Sequence, residues 1–233
     1  MSKPVCVIVG VGAGNGESFA RKFAEEGYQV AMLARNIDYL QKLSQEISES
    51  KAYQYDVTNI DKAAELFNQI ESEMGTISVL VYNAGAGAFA NIDDASIEDF
   101  QRAWEVNSRG LFAVAKQVIP QMRKIDGGNI VIIGATASIK GGANFTPFAS
   151  AKAAQRSLAQ SMARYLDPQN IHVSYIIVDG VIYSEKTREW MPDKSEDYFM
   201  KSDDIADSVF FLTQQKPSAW TFELDLRPFG EKW

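Results

Sequence analysis

The chain has 233 residues, 46% of them hydrophobic, enough to fill the core of a single domain covering 1–233. A formal charge of −7 argues against general binding to nucleic acid or to an anionic membrane, whose phosphates want a basic face. No run approaches the roughly 20 apolar residues of a membrane span, the N-terminus has no long apolar leader, and the lone Cys6 cannot form an intrachain disulfide, so a cytoplasmic protein without nucleic-acid or membrane partners is expected.

Short apolar runs alternate with helical patterns. VCVIVG (5–10) precedes a helix whose Phe19, Ala20, Phe23 and Ala24 share one face. QVAMLA (29–34) precedes IDYLQKLSQEI, and AYQYDV (52–57) precedes NIDKAAELFNQIESEM. ISVLVYNAG (77–85) leads through a loop to one long helix, opened by Ser96 and Asp99 in a capping-box pattern and running to about 123. NIVIIG (129–134) leads to a helix with Thr146 expected as N-cap and Pro147 at its first position. HVSYIIVDG (172–180), a charged segment, a helix near 203–214 and TFELDL (221–226) complete the chain. Several strands are apolar on nearly every residue, which implies cover on both faces. The alternation predicts a doubly wound α/β fold of about seven parallel strands, with ligands beyond the carboxyl ends of the strands.

The first such end reads GVGAGNG, with Gly10, Gly14 and Gly16 between a strand and a helix. Residues without a Cβ let the backbone turn sharply and approach a pyrophosphate, and Asn15 opens a helix whose free N–H groups favour an anion. Asp56-Val57 follows the third strand, Tyr82-Asn83-Ala84-Gly85 ends the fourth, and Asn107 lies in the long helix. With this set of motifs the chain resembles the short-chain dehydrogenases/reductases (SDR) along essentially its whole length. It departs from their pattern at Val9, where a threonine often stands, and at Tyr82 in the Asn-Asn-Ala-Gly motif.

The resemblance implies a Rossmann-type sheet with helices on both faces and a nicotinamide dinucleotide as cofactor. It places Asp56 and Val57 near the adenine, Asn83, Ala84 and Gly85 along the ribose and nicotinamide side, and Gly180 and Val181 over the nicotinamide, with Ser184 close by. The second strand ends in Ala34-Arg35, where NAD-preferring relatives carry an acid. A carboxylate there would accept from the ribose 2′-OH, whereas a guanidinium can grip a 2′-phosphate, so NADP(H) is favoured over NAD(H).

The resemblance also implies a catalytic set of tyrosine, lysine, serine and asparagine. Carried over, the lysine is Lys152 and the asparagine Asn107, while the tyrosine position is Phe148 and the serine position Ala135. Both hydroxyls that would touch a substrate are absent. Phe148 keeps the ring but has no proton to give, and loss of a placed general acid costs about 10²–10⁴-fold in rate. Thr136, Ser138, Thr146, Lys152 or a water relayed through Asn107 are the substitute donors. Two readings follow: an NADP(H)-dependent oxidoreductase acting on a carbonyl or alcohol through an atypical relay, or a catalytically degenerate NADP(H)-binding sensor or scaffold.

Residues 184–202 occupy the position of the family's substrate lid, and their Trp190, Met191, Tyr198, Phe199 and Met200 hint at a hydrophobic small-molecule substrate. His172 opens a strand and reads as structural, and no Cys/His cluster has metal-ligand spacing, so no metal is expected. The resemblance implies a homodimer or homotetramer through the helices near 96–123 and 147–166. Aromatics at the C-terminal end, including Trp233, suggest a further partner surface.

Overall fold

The computed structural model describes residues 3–230, so Trp233 lies outside the described residues. Seven parallel strands form one sheet: β1 (Val5–Val9), β2 (Gln29–Ala34), β3 (Ser50–Gln54), β4 (Ile77–Tyr82), β5 (Gly128–Ile133), β6 (Ile171–Val178) and β9 (Glu223–Leu226). Their order is β3-β2-β1-β4-β5-β6-β9. Two-residue strands β7 (Val181–Ile182) and β8 (Phe199–Met200) pair with each other apart from it.

Every residue of β1 and of β6 is buried, as expected of strands covered on both faces. One core joins Val7, Leu80 and Ile130 to Phe67 of α3 (Ala63–Met74), Leu111 of α5 (Gly110–Lys124) and Ala159 of α6 (Thr146–Leu166). The other joins Ile8, Val81 and Val131 to Phe19 of α1 (Asn15–Glu25), Leu40 of α2 (Ile37–Glu46) and Val209 of α8 (Ser202–Thr213). Each fully buried Leu, Ile or Phe contributes about 1.5–3 kcal/mol. Strand order reverses between β1 and β4, and that switch point opens a crevice at the carboxyl ends.

Three expectations need correction. β3 ends at Gln54 rather than 57, because the chain turns at Asp56, whose Oδ1 accepts from the Thr58 N–H at 3.0 Å and its hydroxyl at 2.8 Å. Thr146 is not the N-cap of α6. Phe145 holds that place with no side-chain cap, Thr146 donates its N–H to the Ala90 carbonyl at 3.0 Å, and Pro147 is the second helical residue. The long helix is also not uniform. Ser96 caps α4 (Ile97–Trp104) through the Asp99 N–H, but a five-residue π turn, Glu105–Arg109, separates α4 from α5.

That turn has a chemical cause. Gly110 donates to the Glu105 carbonyl, five residues back. The widened ladder frees carbonyls for side chains. The Tyr82 hydroxyl takes Val106 O at 2.5 Å, the Gln155 amide takes Asn107 O at 2.8 Å, and the Asn107 amide takes Ala103 O at 2.8 Å. Among the described residues no helix is long and apolar enough to cross a membrane.

Candidate active site

A cleft of ≈ 660 Å³ follows the carboxyl ends of β1 to β4. Gly10, Arg35, Asp56, Val57, Asn83, Ala84 and Gly85 line it, so seven of the predicted cofactor residues share one wall. Gly10 is fixed by its neighbours. It sits at φ +93°, and a Cβ there would lie 2.5 Å from Ala84 N. Asn83 braces the same turn, donating from its amide to Gly10 O at 2.8 Å and from its backbone to Val9 O at 2.9 Å. Gly14, at φ +97°, is the N-cap of α1, which Asn15 and Gly16 then open. Asn15 is buried and its Oδ1 has no partner.

The other end of the cleft is basic. Arg35 and Arg102 are both exposed on its wall. Burial opposes the charge of Asp56, but the bonds from Thr58 and the fields of Arg35 and Arg102 outweigh it and hold the carboxyl below its usual range.

Gly85 joins this cleft to the residues of α6. A Cβ on Gly85 would lie 3.5 Å from Asn107 Oδ1 and 4.0 Å from Lys152 Nζ. Lys152 is buried. Its Nζ donates to Ile133 O at 2.9 Å and to Gln155 Oε1 at 3.0 Å. Burial draws its pKa down to about 7. Asn107 donates to Ala86 O at 3.0 Å, and its Oδ1, next to Gly85, is a buried acceptor without a partner. An unpartnered buried acceptor beside a glycine-walled crevice suits a ligand carrying hydroxyls.

A family model for short chain dehydrogenases matches residues 4–195. The chain belongs to the short-chain dehydrogenase family. A 7alpha-hydroxysteroid dehydrogenase of Escherichia coli is 31% identical over 219 residues, covering 88% of this chain and 85% of that one. An uncharacterized oxidoreductase of Bacillus subtilis is 27% identical over 94% of this chain, which spans only 36% of that protein's length. The crystal structure of a short-chain dehydrogenase from Rhodopseudomonas palustris superposes with a TM-score of 0.85 at 32% identity, covering 97% and 99% of the two chains. An alcohol dehydrogenase from the archaeon Thermococcus sibiricus, complexed with 5-hydroxy-NADP, gives 0.87 at 25% identity over 99% of both.

At the positions where the short-chain dehydrogenase resemblance expects a serine and a tyrosine, the structure shows an apolar surface. Ala135 is extended and opens the turn Thr136–Ser138, which packs on α6. Lys152 Nζ stands 5.9 Å from the Phe148 ring centroid. Phe89 packs edge-on to Phe145 at 5.2 Å and to Phe148 at 5.5 Å, forming an aromatic cluster. Of the hydroxyls offered as substitutes, that of Thr136 is engaged and that of Ser138 is hidden. Thr136 donates to Asp179, which also pairs with Arg227 at 3.3 Å. Ser138 is buried, and Thr146 belongs to the start of α6. Lys152 is the titratable group beside the Phe148 ring.

Gly180 and Val181 lie outside this cleft's wall. A Cβ on Gly180 would meet Pro228 and Met200, and Val181 pairs with Phe199. Ser184 caps a short helix, α7 (Glu185–Trp190), with a reciprocal bond to Thr187. The 184–202 segment is thus anchored at its far end, where Phe199 and Met200 are buried. His172 stacks on Trp220 at 4.7 Å at the opposite end of the sheet, its ring nitrogen 2.9 Å from Thr221 O. Among the described residues no group of three or more His, Cys, Asp or Glu could hold a metal. Sequence reasoning missed Arg102, Gln155, Phe89 and Phe145. Arg102 and Phe89 come from segments carrying no motif, while Phe145 and Gln155 flank the Phe148–Lys152 stretch without belonging to it, so only the fold shows that they reach the site.

Proposed function

We propose that the protein is an NADP(H)-dependent oxidoreductase of a carbonyl or alcohol in which Lys152 takes over the proton transfer. The single observation that carries this reading is the buried, glycine-walled contact of Lys152 and Asn107 with the cleft that Gly10 and Arg35 begin. Gly10, Asn15, Gly85 and Asn107 suit a dinucleotide: one glycine at a close approach, a second lining the cleft beside Lys152, and two buried acceptors without partners. When bound, the nicotinamide supplies or accepts the hydride. Arg35, aided by Arg102, holds the 2′-phosphate end, and Asn83 keeps the turn in place.

Lys152 in its ammonium form gives a proton to the reduced oxygen and is left as the neutral amine, which water reprotonates. Reversal gives alcohol oxidation. A pKa about 7 suits both directions, since a general acid works best when its pKa lies near the working pH. The Phe89, Phe145 and Phe148 cluster offers packing to an apolar portion of the substrate, with 184–202 as the lid over it. The same reading places one domain in the cytoplasm as a homodimer or homotetramer, joined through Ile97, Phe100, Trp104 and Phe112, all exposed on α4 and α5.

The test is fluorescence titration with NADPH and NADH, followed by turnover on a panel of apolar aldehydes and ketones. NADPH is expected to bind at least about tenfold more tightly, a modest return for one charge-assisted phosphate contact, and turnover is expected to vanish in Lys152→Met. Binding without turnover would favour the sensor, for which the loss of both hydroxyls at Phe148 and Ala135 speaks. Absence of binding to either nucleotide at millimolar concentration overturns both readings.

A further inference from the structure

Lys152 is a buried amine with no carboxylate paired to it among the described residues, and its head group is held by two hydrogen bonds. Nζ has four tetrahedral positions, one spent on its own carbon. Two more are filled, by Ile133 O at 2.9 Å and Gln155 Oε1 at 3.0 Å. One position remains, and a Cβ on Gly85, which lines the cleft, would lie 4.0 Å from Nζ. Gln155 is fully buried and bonds through both ends of its carboxamide. Its Nε2 donates to Asn107 O at 2.8 Å, and its Oε1 also lies 3.3 Å from the Tyr175 hydroxyl, which can donate to it.

We propose that Gln155 is a positioning residue: its amide couples Lys152 to the π turn carrying Asn107 and aims the amine at the cleft. The proposal rests on the reading of Lys152 as the proton carrier, and it adds the device that makes such a lysine usable. A glutamate here would set an anion against the amine and hold the proton on it, while an apolar residue would leave Asn107 O and Nζ unsatisfied. The neutral amide satisfies both without fixing the charge. It also makes Asn107 and Lys152 move as one unit, because a single side chain bonds to both.

The groups around the Lys152–Gln155 pair are the Ile133 carbonyl from β5, the Phe148 ring from α6, Gly85 after β4, Asn107 from the π turn and the Tyr175 phenol from β6. Among these described neighbours only Tyr175 can titrate, and burial raises its pKa, so it stays neutral. A change in Lys152 titration on altering Gln155 therefore reports on their direct bond.

The experiment follows Lys152 by NMR in the full-length, ligand-free protein carrying 13C-labelled lysine, with Lys152→Met to assign the signal. Gln155→Glu is expected to raise the titration midpoint by about one pH unit or more, as an adjacent opposite charge does. Gln155→Met, near in volume but without the acceptor, is expected to lower it and to reduce kcat more than it changes the KM for NADPH. Each variant is checked by thermal unfolding, and if Gln155→Glu does not fold, Gln155→Met alone decides. A midpoint unmoved in every variant that folds overturns the proposal. A midpoint that moves in a protein showing no reduction of any carbonyl leaves Gln155 in its role and defeats the enzymatic reading instead.

Discussion

Lys152 Nζ lies 5.9 Å from the centre of the Phe148 ring, one helical turn away on the same face of α6. An ammonium over an aromatic face gains about 0.5–2 kcal/mol where water is excluded, so this ring retains the lysine even though it gives it no proton. The pair suggests the first prediction. Phe148→Tyr restores a hydroxyl on that ring, and with Ala135→Ser it should raise carbonyl reduction by as much as ~10²–10⁴-fold. Steady-state kinetics of the single and double variants decide. No gain in the double variant would show that the ring does not face the reacting oxygen.

The buried lysine makes stability depend on pH. Its folded pKa, about 7, lies below the ordinary value near 10.4. Between these values the unfolded chain holds more protons, so this group's contribution makes the fold more stable as pH rises through that window, and its full penalty applies below pH 7. The penalty is on the order of a few kcal/mol. Cys6 acts oppositely, because burial raises its thiol pKa. The difference between Lys152→Met and wild type isolates the lysine. In chemical denaturation the variant's relative advantage should be nearly constant from pH 6 to about 7 and shrink from pH 7 to 9, and a difference that stays constant up to pH 9 would contradict a neutralised amine.

Arg35 is expected to decide between the two nucleotides. Arg35→Ala should weaken NADPH about 10–100-fold, the equivalent of one charge-assisted hydrogen bond, and leave NADH nearly unchanged. Parallel calorimetric titrations provide the check. Arg102→Ala should produce a smaller loss of the same sign, since it shares the wall with Arg35.

Gly10→Ala tests the turn. The new methyl would sit 2.5 Å from Ala84 N at a φ of +93°, which costs stability twice, through overlap and through backbone strain. A loss of about 2 kcal/mol or more is expected by urea unfolding, with nucleotide binding reduced beyond that.

Strand and helix identities were legible because apolar spacing reports burial directly, and the glycine turn because sharp backbone needs leave few residue choices. That Arg35 lines the cleft was legible from its place just after a strand, and that Lys152 lies beside Gly85 followed from the family resemblance. The π turn was not, because what stabilises it comes from Tyr82 and Gln155, far away in sequence. Thr146 misled because a good capping residue need not cap when its own N–H finds a carbonyl elsewhere, here Ala90. Gln155 reads as one polar residue among several on α6, and nothing in its neighbours shows that both halves of its amide are spoken for.

The π turn reaches beyond the catalytic end of the molecule. At about 100° per residue, Phe112 would sit roughly 80° around a plain α-helix from Trp104. The surplus residue absorbed at Glu105–Arg109 brings it back to within about 20°, so Ile97, Phe100, Trp104 and Phe112 form a single outward ridge. Deleting one residue there would restore a plain α-helix with Phe112 seven positions from Trp104 and still within about 20° of it, so a one-codon loss would keep the outer seam aligned while closing the widened ladder that serves the Asn107–Gln155 link.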